Sequence, residues 1–194
     1  MSDLNLTSAQ VYGVRVPKDY FISGGIGETD LGGGIDPWET GSYDLALKDA
    51  KIHNFNIIQY TSVMPKHAVR HNYEDIKDQL YHGAVLETIM ANINGKQGEI
   101  ITAGIVTADI HLTTDGSHLG GFVCEYEGND PEDIAQKTLH DSIHGLIDRR
   151  YQPNEVKVSN IEYHIKSLEV KKKFATVISF IGFVSYMFPK FTKE

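Results

Sequence analysis

Hydrophobic positions along this 194-residue chain recur mostly with the two-residue period of β-strands. Two segments follow the helical period instead: Ser42–Lys51, and a longer one that starts at Asp130-Pro131 and runs to about Tyr151. Runs rich in β-branched and aromatic residues predict strands at residues 20–23, 55–62, 85–93, 99–110, 121–127, 156–168 and 175–187.

Glycine and asparagine mark the predicted connections between these elements. Asn94-Gly95 is a strong turn signal and predicts a hairpin between strands 85–93 and 99–110. Residues 24–27 and 32–34 are rich in glycine and predict loops, without the spacing of a nucleotide-binding loop. Residues 67–80 are polar and predict a surface loop with a helical turn.

The order of the predicted elements indicates the fold class. Two helices cannot cover both faces of one sheet made of so many antiparallel strands, so two packed sheets with helices outside are favoured. We therefore expect residues 1–194 to form one α+β domain with mainly antiparallel sheets.

Composition and charge narrow the function classes. The chain is 41% hydrophobic and 23% charged, and its formal net charge of −8 argues against a nucleic-acid partner but suits a cationic small ligand. With the single cysteine Cys124, no internal disulfide is possible. Residues 1–10 lack a signal-peptide pattern, and the apolar run Phe174–Phe188 is too short to cross a membrane comfortably as a helix. We expect a cytoplasmic protein without a membrane segment.

The dipeptide Thr61-Ser62 carries the candidate chemistry. It ends a predicted strand and is followed by Val63-Met64-Pro65. A hydroxyl placed directly after a peptide carbonyl can attack that carbonyl when the backbone holds it there. Taken alone, the pattern also fits an ordinary serine at the end of a strand.

The residues around Ser62 make the assignment more specific. The segments 43–47, 50–52, 54–58 and 60–65, together with His82–Glu87, Gly121–Gly128 and Gly24–Glu28, occur in the order found in one enzyme family. From about Val16 to Phe183 the chain resembles the pyruvoyl-dependent arginine decarboxylases, and it is most similar to the bacterial branch, which has Thr-Ser at the cleavage point.

This resemblance implies a self-processing enzyme that needs no separate cofactor. Ser62 would attack the Thr61 carbonyl in an N-to-O acyl shift, and elimination and hydrolysis would leave a covalent pyruvoyl group in place of Ser62. Cleavage would give a β chain of residues 1–61 and an α chain of residues 62–194. The pyruvoyl ketone would form a Schiff base with L-arginine and hold the electrons released with CO2, which yields agmatine.

Three further site residues follow from the resemblance. Glu125 matches the acid that protonates the α-carbon, Asn56 an asparagine that assists processing and catalysis, and Asp44 an aspartate that pairs with the substrate guanidinium. Each residue also has an ordinary structural interpretation: a solvent-facing acidic strand position, an edge-strand asparagine that contacts backbone, and a favourable first-turn helix aspartate.

The resemblance also implies a four-layer α-β-β-α sandwich that assembles as a homotrimer or a dimer of trimers. A regular strand from Asn56 to Ser62 spans about 20 Å, so a neighbouring subunit would be needed to bring both residues into one site.

Other functions stay open at this point. The same cofactor could decarboxylate another amino acid, or the chain could be an unprocessed, non-enzymatic assembly subunit. His140 and His144 have the i, i+4 spacing of a zinc-binding helix, but no third ligand is near in sequence, so we expect a solvated helix face and no metal. Cys124 shares its strand face with two aromatic residues, which favours a buried, unreactive thiol.

Overall fold

The computed structural model describes residues 14–32 and 36–189, so the first residues of the chain and Gly33–Gly34 of the predicted glycine loop lie outside the described residues. The helices are α1 (Asp44–Asp49), which follows a π-helical turn at Glu39–Tyr43, α2 (Tyr73–Ile76), which continues into a 3-10 turn at Lys77–Gln79, and α3 (Glu132–Arg150). The strands are β1 (Val16–Pro17), β2 (Asp19–Thr29), β3 (Asn56–Gln59), β4 (Val63–Pro65), β5 (Val69–Arg70), β6 (Val85–Lys96), β7 (Ile100–Leu112), β8 (His118–Gly128), β9 (Val156–Glu169), β10 (Phe174–Phe183) and β11 (Tyr186–Met187).

The strands form two main sheets. One has five strands in the order β3-β6-β10-β2-β5, and the other has four in the order β4-β8-β7-β9. The β1–β11 pair forms a short additional ladder. All pairings are antiparallel except β2 with β5 and β3 with β6. The predicted α+β class with mainly antiparallel sheets is confirmed.

Three hydrophobic clusters hold these elements together. The first lies between the two sheets and includes Ile89, Ile105 and Val123. The second joins α1 to the outer face of the five-stranded sheet, and the third joins α3 to the outer face of the four-stranded sheet. Strand alternation produces this arrangement, because successive residues of β7 and β8 point to opposite sheet faces. The packing is compatible with the predicted α-β-β-α layers.

The prediction of a loop at residues 24–27 is wrong, since β2 runs through these glycines. The reason is the closeness of α1 to the sheet: a side-chain carbon at Gly25 or Gly27 would collide with backbone carbonyls of Ala46 and Ser42. Glycine is present here so that a helix can approach a strand, and not so that the chain can turn.

The predicted hairpin at Asn94-Gly95 is also wrong. Strand β6 continues through both residues, which pair with Thr176 and Ala175 of β10. The chain turns only after Lys96, with Gly98 at a φ of +89°. Strands β6 and β7 then lie in different sheets, so the connection arches between sheets instead of joining neighbours in one sheet.

The strand predicted at residues 55–62 is divided between the sheets. Strand β3 ends at Gln59 in the five-stranded sheet, and β4 starts at Val63 in the four-stranded sheet. Residues 60–62, called the crossing segment below, connect the two. The alternation expected from Asn56 to Ser62 on one regular strand therefore does not hold.

The remaining predictions agree more closely with the structure. Helix α3 and strands β8 to β10 lie where the pattern predicted them, and residues 67–80 contain short elements only. No helix among the described residues is both long enough and apolar enough to cross a bilayer.

Candidate active site

The crossing segment is anchored in both sheets. The Tyr60 N–H donates to the Thr88 carbonyl of β6 at 2.6 Å, and the Val123 N–H of β8 donates to the Ser62 carbonyl at 2.9 Å. Between these anchors, no group in residues 14–32 or 36–189 makes a hydrogen bond to the Thr61 carbonyl or the Ser62 N–H. The peptide bond between Thr61 and Ser62 is thus held from both ends, while its own carbonyl and N–H have no hydrogen-bond partner among the described residues.

Glu125 lies two residues along β8 from the residue that contacts Ser62. Ser62 pairs with Val123, and Glu125 follows two residues later on β8, which corresponds to about 7 Å along the strand. Strand alternation puts Glu125 on the same face as Val123, which packs in the core between the sheets. Ser62 and Glu125 therefore occupy one region of a single subunit.

The electrostatic surroundings of Glu125 favour its protonated form. Partial burial raises the pKa of the Glu125 carboxyl above its ordinary value, and the nearby charge of Glu127 adds to this increase. No other side chain in the described part of the chain forms a hydrogen bond or an ion pair with the Glu125 carboxyl. A half-buried carboxyl with a raised pKa is suited to donate a proton.

Glu127 lies on the same strand face as Glu125 but makes a hydrogen bond. Its Oε1 accepts a hydrogen bond from the Asn92 N–H of β6 at 2.7 Å. Strand β3 covers β6 only from Val85 to Thr88, so Asn92 is on a part of β6 that β3 leaves free. Glu127 thus links the two sheets on the side where the crossing segment runs.

A buried charged group lies under the crossing segment. Glu87 is 1% exposed on the inward face of β6, and its carboxylate pairs with Arg15 and accepts a hydrogen bond from the Tyr60 hydroxyl. The Arg15 guanidinium carbon also lies 4.9 Å from the centre of the Tyr186 ring. Sequence reasoning assigned no role to Arg15, Tyr60 or Glu87. A glutamate at a core-facing position of a predicted strand was the one available signal.

Asn56 and Asp44 lie apart from Ser62 in the described chain. The Asn56 Nδ2 donates to the Gly83 carbonyl at 3.0 Å, which is the backbone contact expected of an edge-strand asparagine. Asp44 is exposed in the first turn of α1, which packs on the outer face of the five-stranded sheet. The predicted roles of both residues stay predictions.

The alternative chemical groups receive little support from the geometry. Cys124 is buried against α3, and burial raises the pKa of its thiol to about 11. The His140 and His144 rings are 4.5 Å apart, but His140 contacts the Tyr163 hydroxyl at 2.7 Å. Across residues 14–32 and 36–189, no three His, Cys, Asp or Glu side chains are grouped to hold a metal ion.

A serine whose carbonyl is fixed, an unengaged peptide bond before it and a carboxyl with a raised pKa together suit self-cleavage followed by proton transfer. The residues present fit a reactive carbonyl group made from Ser62, because they hold position 62 and place a proton donor close by.

Comparison with known proteins agrees with this chemistry. The family model described as pyruvoyl-dependent arginine decarboxylase matches residues 19–188. The chain is 35% identical to the pyruvoyl-dependent arginine decarboxylase AaxB of Chlamydia muridarum over 187 residues, which cover 90% of this chain and 94% of the relative. It is 34% identical to AaxB of Chlamydia trachomatis serovar L2 over 191 residues with the same coverage. The pyruvoyl-dependent arginine decarboxylase of Halobacterium salinarum is 28% identical over 106 residues, 55% of this chain and 63% of the relative.

Proposed function

The chain belongs to the pyruvoyl-dependent arginine decarboxylase family, and on this premise we propose that Ser62 is the residue from which its covalent cofactor is made. The enzyme is a carboxy-lyase that converts L-arginine to agmatine and CO2. The observation that carries the assignment of Ser62 is the unengaged Thr61–Ser62 peptide bond, held between two sheets with Glu125 close by.

Self-cleavage at this bond is chemically balanced without any added reagent except water. The Ser62 Oγ attacks the Thr61 carbonyl carbon, the amide C–N bond breaks, and the hydroxyl proton passes to the freed nitrogen. Loss of the Ser62 α-proton then breaks the new ester, which leaves a Thr61 carboxylate and a dehydroalanine. Water converts the dehydroalanine to pyruvoyl and releases ammonia. The products are the β chain 1–61 and the α chain 62–194.

The chains stay together after cleavage because their strands interleave. Strand β2 of the β chain pairs with β10 of the α chain from Tyr20–Phe183 to Thr29–Phe174, and β3 pairs with β6. A broken bond in the crossing segment removes no strand from either sheet. The cleaved molecule therefore keeps the hydrogen-bonded framework that places Glu125.

Each proposed site residue has its own role in the decarboxylation of arginine. The pyruvoyl group supplies a ketone that takes up the electrons released with CO2. Glu125 gives a proton to the substrate α-carbon, and Asn56 assists. Asp44 is exposed and provides a planar carboxylate for the guanidinium of arginine.

We further propose that the enzyme works as a homotrimer or a dimer of trimers in the cytoplasm. Asp44 lies on the outer face of the five-stranded sheet, whereas Ser62 and Glu125 border the core between the sheets. A neighbouring subunit that brings its Asp44 and Asn56 to this region would complete the substrate pocket. Native mass spectrometry checks the subunit number.

Replacement of Ser62 by alanine tests the proposal. Ser62→Ala should remain a single chain on a denaturing gel and release no CO2 from arginine, because no ketone can form. Ser159→Ala is the matched control, since the buried Ser159 hydroxyl has no hydrogen-bond partner in the described structure. Cleavage or CO2 release by Ser62→Ala would contradict the assignment. A panel of arginine, ornithine and lysine checks the substrate, with turnover expected for arginine.

A further inference from the structure

We propose that Arg15, Tyr60 and Glu87, called the carboxylate clamp below, position the Thr61–Ser62 bond for self-cleavage. The inference rests on the proposed role of Ser62 and adds three positioning residues to it. None of the three has to touch the substrate, because the clamp acts through the backbone of the crossing segment.

The burial of Glu87 is the first argument. Its side chain is 2% exposed and lies beside the core between the sheets, where an ionised carboxylate is strongly unfavourable unless it is paired. Arg15 supplies the opposite charge and Tyr60 supplies a hydroxyl donor. A leucine at this position would pack in the core as well as Glu87 does. We therefore infer that Glu87 serves to fix Arg15 and Tyr60, the two residues that it binds.

The position of Tyr60 is the second argument. Tyr60 directly precedes Thr61, and three contacts hold it: its hydroxyl to Glu87, its N–H to the Thr88 carbonyl, and its ring 5.8 Å from that of Phe183. On the other side of the bond, Val123 holds the Ser62 carbonyl. With Tyr60 and the Ser62 carbonyl both held, the Thr61 carbonyl carbon has little freedom to move relative to the Ser62 backbone. Pre-set geometry of this kind is a large source of rate in intramolecular attack.

The origin of the three side chains is the third argument. After cleavage Arg15 and Tyr60 belong to the β chain, and Glu87 belongs to the α chain. The clamp therefore spans the cut and holds the new β-chain end against the α chain. It is in place before the bond breaks.

Time courses of cleavage test the clamp directly. The wild-type chain, Tyr60→Phe, Glu87→Gln and the double variant are made by cell-free translation, and the cleaved fraction is followed on denaturing gels. Loss of a hydrogen bond to a charged group should slow cleavage by about tenfold or more in each single variant. The double variant should be about as slow as the slower single variant, since both remove parts of one interaction.

The controls separate positioning from folding. Tyr73→Phe removes a hydroxyl whose bond to the Lys51 carbonyl is 3.4 Å long, and it should cleave at the wild-type rate. The same variants in the uncleavable Ser62→Ala background report whether each chain folds. Rates are compared only among chains that give the native near-ultraviolet circular dichroism signal. If Glu87→Gln fails to fold, Tyr60→Phe still tests the clamp, because phenylalanine keeps the ring packing against Phe183.

Hydroxylamine identifies the step that the clamp assists. At neutral pH it cuts an accumulated ester at Thr61–Ser62 but not an ordinary amide, so slow variants should stay uncut at this position if the clamp positions the first attack. Rapid hydroxylamine cleavage of Tyr60→Phe would overturn the inference, as would folded variants that process at the wild-type rate. A wild-type chain that never cleaves would instead contradict the proposed function itself.

Discussion

Glu87 and Glu125 are two glutamates on inward strand faces beside the crossing segment, and their surroundings differ. Glu87 is almost completely buried and binds Arg15 and Tyr60. Glu125 is half-buried, and partial burial raises its pKa, with no opposite charge from residues 14–32 or 36–189 to offset the increase. The first glutamate is suited to hold its neighbours in place, and the second is suited to carry a proton. The same residue type thus acquires two roles from its partners alone.

The largest expected effect comes from removing the proton donor. Glu125→Gln should lower kcat for arginine by about 100-fold or more, because general acid catalysis contributes at least that much in typical enzymes. Cleavage at Thr61–Ser62 should proceed, since Glu125 is neither one of the backbone anchors of the crossing segment nor a member of the carboxylate clamp. Steady-state assays on the cleaved protein give kcat, and denaturing gels give the cleaved fraction. Wild-type kcat in Glu125→Gln would remove this glutamate from the mechanism.

The two glutamates should affect the free energy of unfolding in opposite directions. Glu87→Gln should destabilise the uncleavable Ser62→Ala chain by about 2 kcal/mol at neutral pH. This is less than the cost of breaking a fully buried ion pair, because the Arg15 side chain is 50% exposed. Glu125→Gln should stabilise the same background at neutral pH, because it removes a partly buried charge for which the described residues provide no opposite charge.

The pH dependence of the Glu125→Gln effect has a defined sign. The pKa of Glu125 is higher in the folded chain than in the unfolded chain, so between these two pKa values the folded chain binds more protons. The wild type therefore becomes less stable as the pH rises through this range. The advantage of Glu125→Gln should therefore appear at about pH 8 and disappear at about pH 4. Thermal denaturation in the Ser62→Ala background measures both. An advantage of equal size at both pH values would contradict the account of Glu125.

The smallest effect is expected at the neighbouring glutamate. Glu127 adds to the raised pKa of Glu125, so Glu127→Gln should move the alkaline limb of the kcat profile to lower pH by a few tenths of a unit. The amide oxygen of glutamine can still accept the hydrogen bond from Asn92. A shift toward higher pH would show that another group controls this limb. Glu162→Gln is the control: Glu162 is exposed two strands away on β9 and its carboxylate pairs with Arg70, so this change should leave the profile unchanged.

Much of the fold was predictable because local patterns agree with the tertiary structure there. Helix α3 begins after Asp130-Pro131, and its buried residues follow the helical period. The errors occurred where a distant element decides the local structure. Gly25 and Gly27 read as loop residues until α1 is placed over them, and Asn94-Gly95 reads as a turn until β10 pairs with it.

In the candidate site, too, local sequence patterns predicted some residues and missed those brought together by distant elements. Ser62 and Glu125 were predicted from the residues that surround them in sequence, and in the structure the strand residue that contacts Ser62 is two positions before Glu125. The carboxylate clamp was missed because Arg15, Tyr60 and Glu87 lie far apart in sequence and meet only when the chain crosses between sheets. No local pattern records a contact across 72 residues.

The intact mass of the denatured wild-type protein tests the central claim most directly. The account predicts two chains, a β chain that ends at Thr61 and an α chain that carries pyruvoyl in place of Ser62 and is therefore blocked to sequential degradation from its amino end. A single stable chain of 21.7 kDa with Ser62 intact, from protein that decarboxylates arginine, would contradict it.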